Sequence, residues 1–130
     1  KPFDPAELVA RIRAVLRRGQ LGRTLTHASR IRGGGLELDR LAKTVTARGQ
    51  AVQLTPKALA LLEYLMVHHG ETFSRDHLLE QVWGVEFAIT TRAVDHRVAE
   101  LRKVLGARGL EVIDTVQGVG YRFHPEVRAA

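Results

Sequence analysis

The period of the hydrophobic pattern changes twice along this chain, and those two changes constrain what it can fold into. From Leu36 the period is two: Leu36 and Leu38 alternate with Glu37 and Asp39, and Thr44-Val45-Thr46 and Val52-Gln53-Leu54 flank a turn at Arg48-Gly49-Gln50. Alternation puts one strand face in a core and the other in water, so this stretch predicts a small antiparallel sheet of three strands. From Pro56 the period becomes helical. Ala58, Leu61, Leu62, Leu65 and Met66 make one stripe that ends at Gly70, with Thr55 as N-cap and Pro56 at the first position. Leu78, Leu79, Val82 and Trp83 make a second behind a Ser74 cap, and Val94, Val98, Leu101 and Leu105 make a third that starts at Thr90 or Thr91. The period then returns to two, predicting a strand over 110–116, a turn at Gln117-Gly118-Val119-Gly120 and a strand over 121–124. The order is sheet, three helices, hairpin, an α+β arrangement.

Ahead of this lies a different kind of sequence. Asp4 at N-cap, Pro5 at N1 and Glu7 at N3, with Phe3 and Leu8 placed as a hydrophobic staple, predict a helix that ends at Gly19. Its apolar residues Leu8, Val9, Ile12, Val15 and Leu16 share a face that needs a partner, so self-association into a homodimer through helix 4–18 is expected. Residues 20–35 have no sustained period and finish in Gly33-Gly34-Gly35, which reads as a linker. The expected organisation is therefore a separate helix at 1–19, a linker at 20–35 and one folded domain at 36–127. The opening on Lys1, without an initiator Met, reads as a piece of a longer protein.

Composition narrows the function classes. A 45% hydrophobic fraction over 130 residues is enough for one core. No run of 18 apolar residues and no signal-peptide pattern argues for a membrane or for export, so a cytoplasmic location is expected. The absence of cysteine excludes disulfides and thiolate metal sites. The net charge of +6 is unevenly placed: residues 1–35 hold eight Lys/Arg against Asp4 and Glu7, and the rest holds twelve of each sign. If residues 36–130 bind a polyanion, they do so through local clustering of cations. His68-His69 and His77 lack an established ligand spacing and read as exposed histidines at helix ends. Gly33-Gly34-Gly35 lacks the Lys-Ser/Thr of a phosphate loop, and no nucleophile motif is present. No enzyme activity and no cofactor are expected.

Two consecutive short helices followed by a hairpin let the later helix enter a major groove while the hairpin reaches an adjacent groove or the backbone. At about 100° per residue, Val94, Val98, Leu101 and Leu105 fall in one narrow arc, whereas Arg92, His96, Ala99, Glu100 and Lys103 take the opposite face and Arg97 and Arg102 the flanks. Arg92 and Lys103 can donate to phosphate or guanine, and His96 can approach a base edge. Glu100 repels phosphate but accepts from a cytosine amino group, so its expected action is exclusion. The same pattern also suits a plain charged solvent face. Gly118 and Gly120 permit a projecting turn, with Gln117 near its tip and Arg122 at its base. The alternative function is a protein-docking module without DNA binding; docking favours an apolar or aromatic anchor on the exposed face, which here shows Arg, His and Lys.

Leu54-Thr55-Pro56-Lys57, Ser74-Arg75, Val82-Trp83-Gly84, Thr91-Arg92-Ala93-Val94-Asp95, Leu101-Arg102-Lys103 and Thr115-Val116-Gln117-Gly118-Val119-Gly120-Tyr121-Arg122 together resemble the effector domain of OmpR/PhoB response regulators, over about residues 36–124. Lys1-Pro2-Phe3-Asp4-Pro5 and the helix to Arg18 resemble the junction and last helix of that family's receiver domain. The resemblance implies a winged helix-turn-helix: a small N-terminal antiparallel sheet, three helices and a C-terminal β-hairpin wing. It implies sequence-specific binding of promoter DNA, with a recognition helix at 90–105 and a wing at 115–123. Arg92, His96, Arg97, Glu100, Arg102 and Lys103 would then meet DNA, with Arg75, Trp83, Thr115 and Tyr121 near phosphates. It further implies tandem half-sites, RNA polymerase at loop 84–89, and a sensor kinase that phosphorylates the receiver domain. This chain departs from the family at Ala99-Glu100, where Arg-Arg is frequent, and at Gln117, where Arg is usual. An uncharged Gln loses the attraction of a narrow groove for guanidinium, so a weaker or differently selective wing contact is expected.

Overall fold

The computed structural model describes residues 28–84 and 90–130; the helix expected at 4–18 and residues 85–89 of the loop lie outside them. Strands β1 (Arg30–Gly33), β2 (Leu36–Asp39), β3 (Thr44–Ala47) and β4 (Gln50–Val52) lead into helix α1 (Pro56–Val67). Strand β5 (Thr72–Ser74) precedes helix α2 (Arg75–Leu78), which widens into a π-helical turn over Leu79–Trp83. Helix α3 (Arg92–Gly106) and strands β6 (Ile113–Val116), β7 (Gly120–Phe123) and β8 (Val127–Ala129) complete the domain. One antiparallel sheet has the order β4-β3-β2-β1-β8, and a second the order β5-β7-β6. This is the winged helix-turn-helix arrangement, with the second sheet as the wing. Among the described residues, no helix is long and apolar enough to cross a membrane.

Three features correct the reading of the sequence. The first sheet has five strands where three were expected. Its added strand β1 lies inside the stretch taken for linker: Ile31 is buried between exposed Arg30 and Arg32, a strand too short to stand out from polar surroundings. Gly34 and Gly35, at φ +61° and +82°, turn the chain from β1 into β2 in a region that L side chains rarely adopt. The fifth strand, β8, runs past residue 127, the expected domain end, and pairs Gly33 with Val127 and Ile31 with Ala129. The third correction is β5, which turns the expected hairpin into a three-stranded sheet through Phe73 opposite Tyr121.

The core lies between the first sheet and the helices. Ile31, Leu36, Leu38, Val45 and Val52 line the inner sheet face, and Ala58, Leu61, Leu62, Leu65 and Met66 of α1 meet them. Val94, Val98, Leu101 and Leu105 of α3 join the same cluster, closed by Leu78, Trp83, Ile113 and Phe123. Burial of apolar surface at about 25 cal/mol per Å² is the main stabilising effect, and it fixes the roll of α3 about its axis. The wing is tied to the helices through the backbone: the Gly70 N–H donates to the Phe123 carbonyl at 2.8 Å.

Candidate nucleic-acid interface

With its four aliphatic residues turned inward, α3 presents Arg92, His96, Ala99 and Lys103 to solvent, all exposed. These positions recur every three or four residues, so they make one stripe along the helix. Among the described residues, the side chains of Arg92, His96 and Lys103 have no intrachain hydrogen bond or ion pair, which leaves their donors available. Asp95 stands in the first turn and Lys103 in the last, both favourable to the helix dipole.

The flanks of the stripe are braced. The Arg102 guanidinium donates to the Ile113 carbonyl at 3.1 Å and to Thr115 Oγ1 at 2.7 Å, joining α3 to β6. Asp95 Oδ1 lies 2.8 Å from Arg75 Nε and accepts from the Tyr121 hydroxyl at 2.6 Å, joining α3 to α2 and β7. The guanidinium carbons of Arg75 and Arg102 lie 5.9 and 5.6 Å from the Tyr121 ring centroid. Burial, and after it the bond to Asp95, push the Tyr121 hydroxyl above its ordinary pKa, so it remains a donor at neutral pH. On the wing, Gln117 and Val119 are exposed at the turn between β6 and β7. At its base, Arg122 and then His124 hold the Asp114 carboxyl below its ordinary pKa, with Arg122 Nη2 at 2.9 Å.

Several residues expected at the interface have partners within the fold. Tyr121 is 5% exposed and Trp83 is 9% exposed; both rings close the core, because their area is worth more buried than in water. Glu100 is partly exposed and engaged within the chain. Its carboxylate accepts from the Thr55 N–H at 2.8 Å, from the Thr55 hydroxyl at 2.7 Å and from Arg97 Nη1 at 2.8 Å. It thereby caps α1, whose own Thr55 side chain makes no cap bond. Arg97 is half-buried by the same contact. Projection from a single helix could not show this, since Thr55 belongs to another element. Nothing in the sequence pointed to Asp95 as the brace of Arg75 and Tyr121 beyond its place in the first turn.

The histidines also differ from expectation. His68 and His77 are half-buried rather than exposed, packed with Tyr64 and Phe73: His77 stacks on Phe73 at 4.9 Å between centroids, and its Nε2 lies 2.8 Å from the Tyr64 hydroxyl. Burial lowers the His68 pKa below its ordinary value, Glu71 opposes this and His77 adds to it.

Residues 49–123 match the family described as "Transcriptional regulatory protein, C terminal". The chain is 42% identical over 123 residues to the phosphate regulon transcriptional regulatory protein PhoB of Pseudomonas aeruginosa, covering 95% of this chain and 52% of that protein. It spans about half the length of the curated relatives it matches. Among solved structures, it is similar to the DNA-binding domain of Escherichia coli CadC, with a TM-score of 0.71 and 28% identity over 78% of this chain and 97% of that one. It is also similar to the Klebsiella pneumoniae RstA DNA-binding domain in complex with the RstA box, with a TM-score of 0.64 and 33% identity over 73% of this chain and 96% of that one.

Proposed function

The chain belongs to the transcriptional regulatory protein C-terminal family, of the OmpR/PhoB type, and from that premise we propose that it binds double-stranded DNA sequence-specifically and regulates transcription as the output domain of a two-component response regulator. The observation that carries this reading is the exposed Arg92/His96/Lys103 stripe on a helix whose opposite face is locked in the core. In this reading α3 enters the major groove. Arg92 and Lys103 neutralise phosphates at its borders, and His96 approaches a base edge beside the methyl of Ala99. Arg75, Arg102 and Thr115 lie where the braced wing meets the backbone, with Gln117 toward the minor groove. A neutral net charge over residues 36–130 makes this local stripe, rather than bulk attraction, the source of affinity.

The remaining organisation is proposed on the family relationship. Residues 1–19 are the last helix of a receiver domain, and the linker shortens to the residues before β1. A cognate sensor kinase phosphorylates that receiver, protomers pair, and the domains grip tandem half-sites about one helical turn apart. Self-association through helix 4–18 and contact of loop 84–89 with RNA polymerase belong to the same proposal, as does residence in the cytoplasm. The family is one of transcriptional regulators, and no residue is assigned to catalysis.

Selection from a randomised duplex pool, followed by titration of the recovered duplex, tests the interface. Arg92→Ala and Lys103→Ala should each weaken binding to every sequence and reduce the salt slope by about one, and His96→Ala should change the preferred base. Unaltered affinity and preference in all three variants would overturn the assignment.

A further inference from the structure

A carboxylate on a helix assigned to a polyanion calls for an explanation, and Glu100 has unusually complete surroundings. The Thr55 N–H, the Thr55 hydroxyl and one Arg97 nitrogen all donate to it, and that same Arg97 nitrogen also reaches Thr55 Oγ1 at 2.9 Å. Thr55 Oγ1, Glu100 Oε1 and Arg97 Nη1 therefore close a three-membered ring of hydrogen bonds. The side chains are 32% and 20% exposed for Arg97 and Glu100, so the pair is partly shielded from salt. A cleft of about 380 Å³ opens beside it, lined by Thr55, Pro56, Lys57, Trp83, His96 and Arg97 among others. Of the cations there, Lys57 already donates to the Val82 carbonyl at 3.2 Å. Arg97 keeps its Nε and Nη2 groups without a partner among the described residues, yet its charge is balanced by Glu100.

Resting on the DNA-binding reading above, we propose that Glu100 is a positioning residue that withholds Arg97 from the DNA backbone, taking the place a phosphate oxygen would take and lowering the domain's sequence-independent affinity by one phosphate contact. Two alternatives exist for the Arg97 guanidinium: the fixed carboxylate 2.8 Å away, or a phosphate at the groove edge. The carboxylate is pre-positioned and involves no loss of a second molecule's freedom, so it prevails in the free protein. On DNA, Glu100 repels the phosphate that Arg97 would otherwise attract. On the exposed stripe of α3, backbone affinity is thus left to Arg92 and Lys103, and discrimination between sequences to the base-edge contacts.

Glu100→Gln tests this because the amide retains an oxygen for the Thr55 N–H while removing the charge. Binding of the whole chain to a mixed-sequence 20-base-pair duplex should be measured from 50 to 200 mM salt for the unaltered chain, E100Q, and E100Q combined with R97A. Each phosphate contact contributes about 0.9 to the salt slope, so E100Q should steepen the slope by about 0.9 and tighten binding about 5- to 10-fold at 0.1 M salt. The double variant should lose that gain. A slope in E100Q equal to that of the unaltered chain would overturn the proposal, as would a gain that persists without Arg97, since the latter reflects only the loss of a negative charge. Melting temperatures of the three proteins within a few degrees of one another exclude a folding explanation. An unaltered chain that ignores the duplex would remove the DNA-binding reading itself. An unaltered chain that binds, with E100Q indistinguishable from it, would remove this proposal alone.

Discussion

Tyr121 shows how one side chain serves two elements at the interface. Its hydroxyl fixes Asp95 on α3 while its ring lies against the guanidinium groups of Arg75 and Arg102. Tyr121→Phe keeps the ring and removes the hydrogen bond, and is expected to reduce stability by about 1–2 kcal/mol, since Asp95 retains Arg75 as a partner. The urea midpoint at unchanged slope checks this. Legibility at this scale follows a simple division. The outward direction of Arg92, His96 and Lys103 could be read from the helical period because it depends only on the helix's own axis. The fates of Glu100, Trp83 and Tyr121 depend on Thr55, the core and Asp95, which lie elsewhere in the chain and are brought close only by folding.

The wing is an element whose geometry depends on a position without a side chain. Gly120 in β7 sits beneath the carbonyl of Phe73 in β5, and a Cβ there would drive into that backbone oxygen. Gly120→Ala should force β5 and β7 apart, with a loss of about 1–3 kcal/mol in a thermal melt and weaker duplex binding through the displaced Thr115 and Gln117. The same local logic explains which elements the sequence disclosed. Helices α1 and α3 have twelve and fifteen residues, enough for a period to repeat, and β2 and β3 alternate cleanly. Strands β1, β5 and β8 have four, three and three residues, and are strands because a neighbour pairs with them. A pattern of one buried residue has no period to detect, so the five-stranded sheet stayed hidden in what reads as linker and tail.

At the scale of the whole domain, the aromatic and histidine cluster makes folding sensitive to acid. Burial lowers the folded pKa of His68 from its ordinary value of 6.5, with Glu71 pulling the other way. The unfolded chain therefore takes up a proton first, so stability is full above pH 6.5 and is lost as pH falls through that value toward the lowered one. Melting temperature should fall between pH 7.5 and pH 5.5 by more than in His68→Gln, in which this contribution is absent; equal pH dependence in both proteins would remove His68 as the cause.

The pairing of β8 with β1 has a mechanical consequence. The Ala130 N–H donates to the Arg30 carbonyl at 2.9 Å, so the two ends of the described fold leave side by side from one margin. Anything covalently attached ahead of Arg30 or behind Ala130 hangs from the same seam. A pull ahead of Arg30 loads the β1–β2 and β1–β8 rows of hydrogen bonds together, whereas a pull behind Ala130 loads the β1–β8 row alone, so the C-terminal attachment is the weaker of the two anchors.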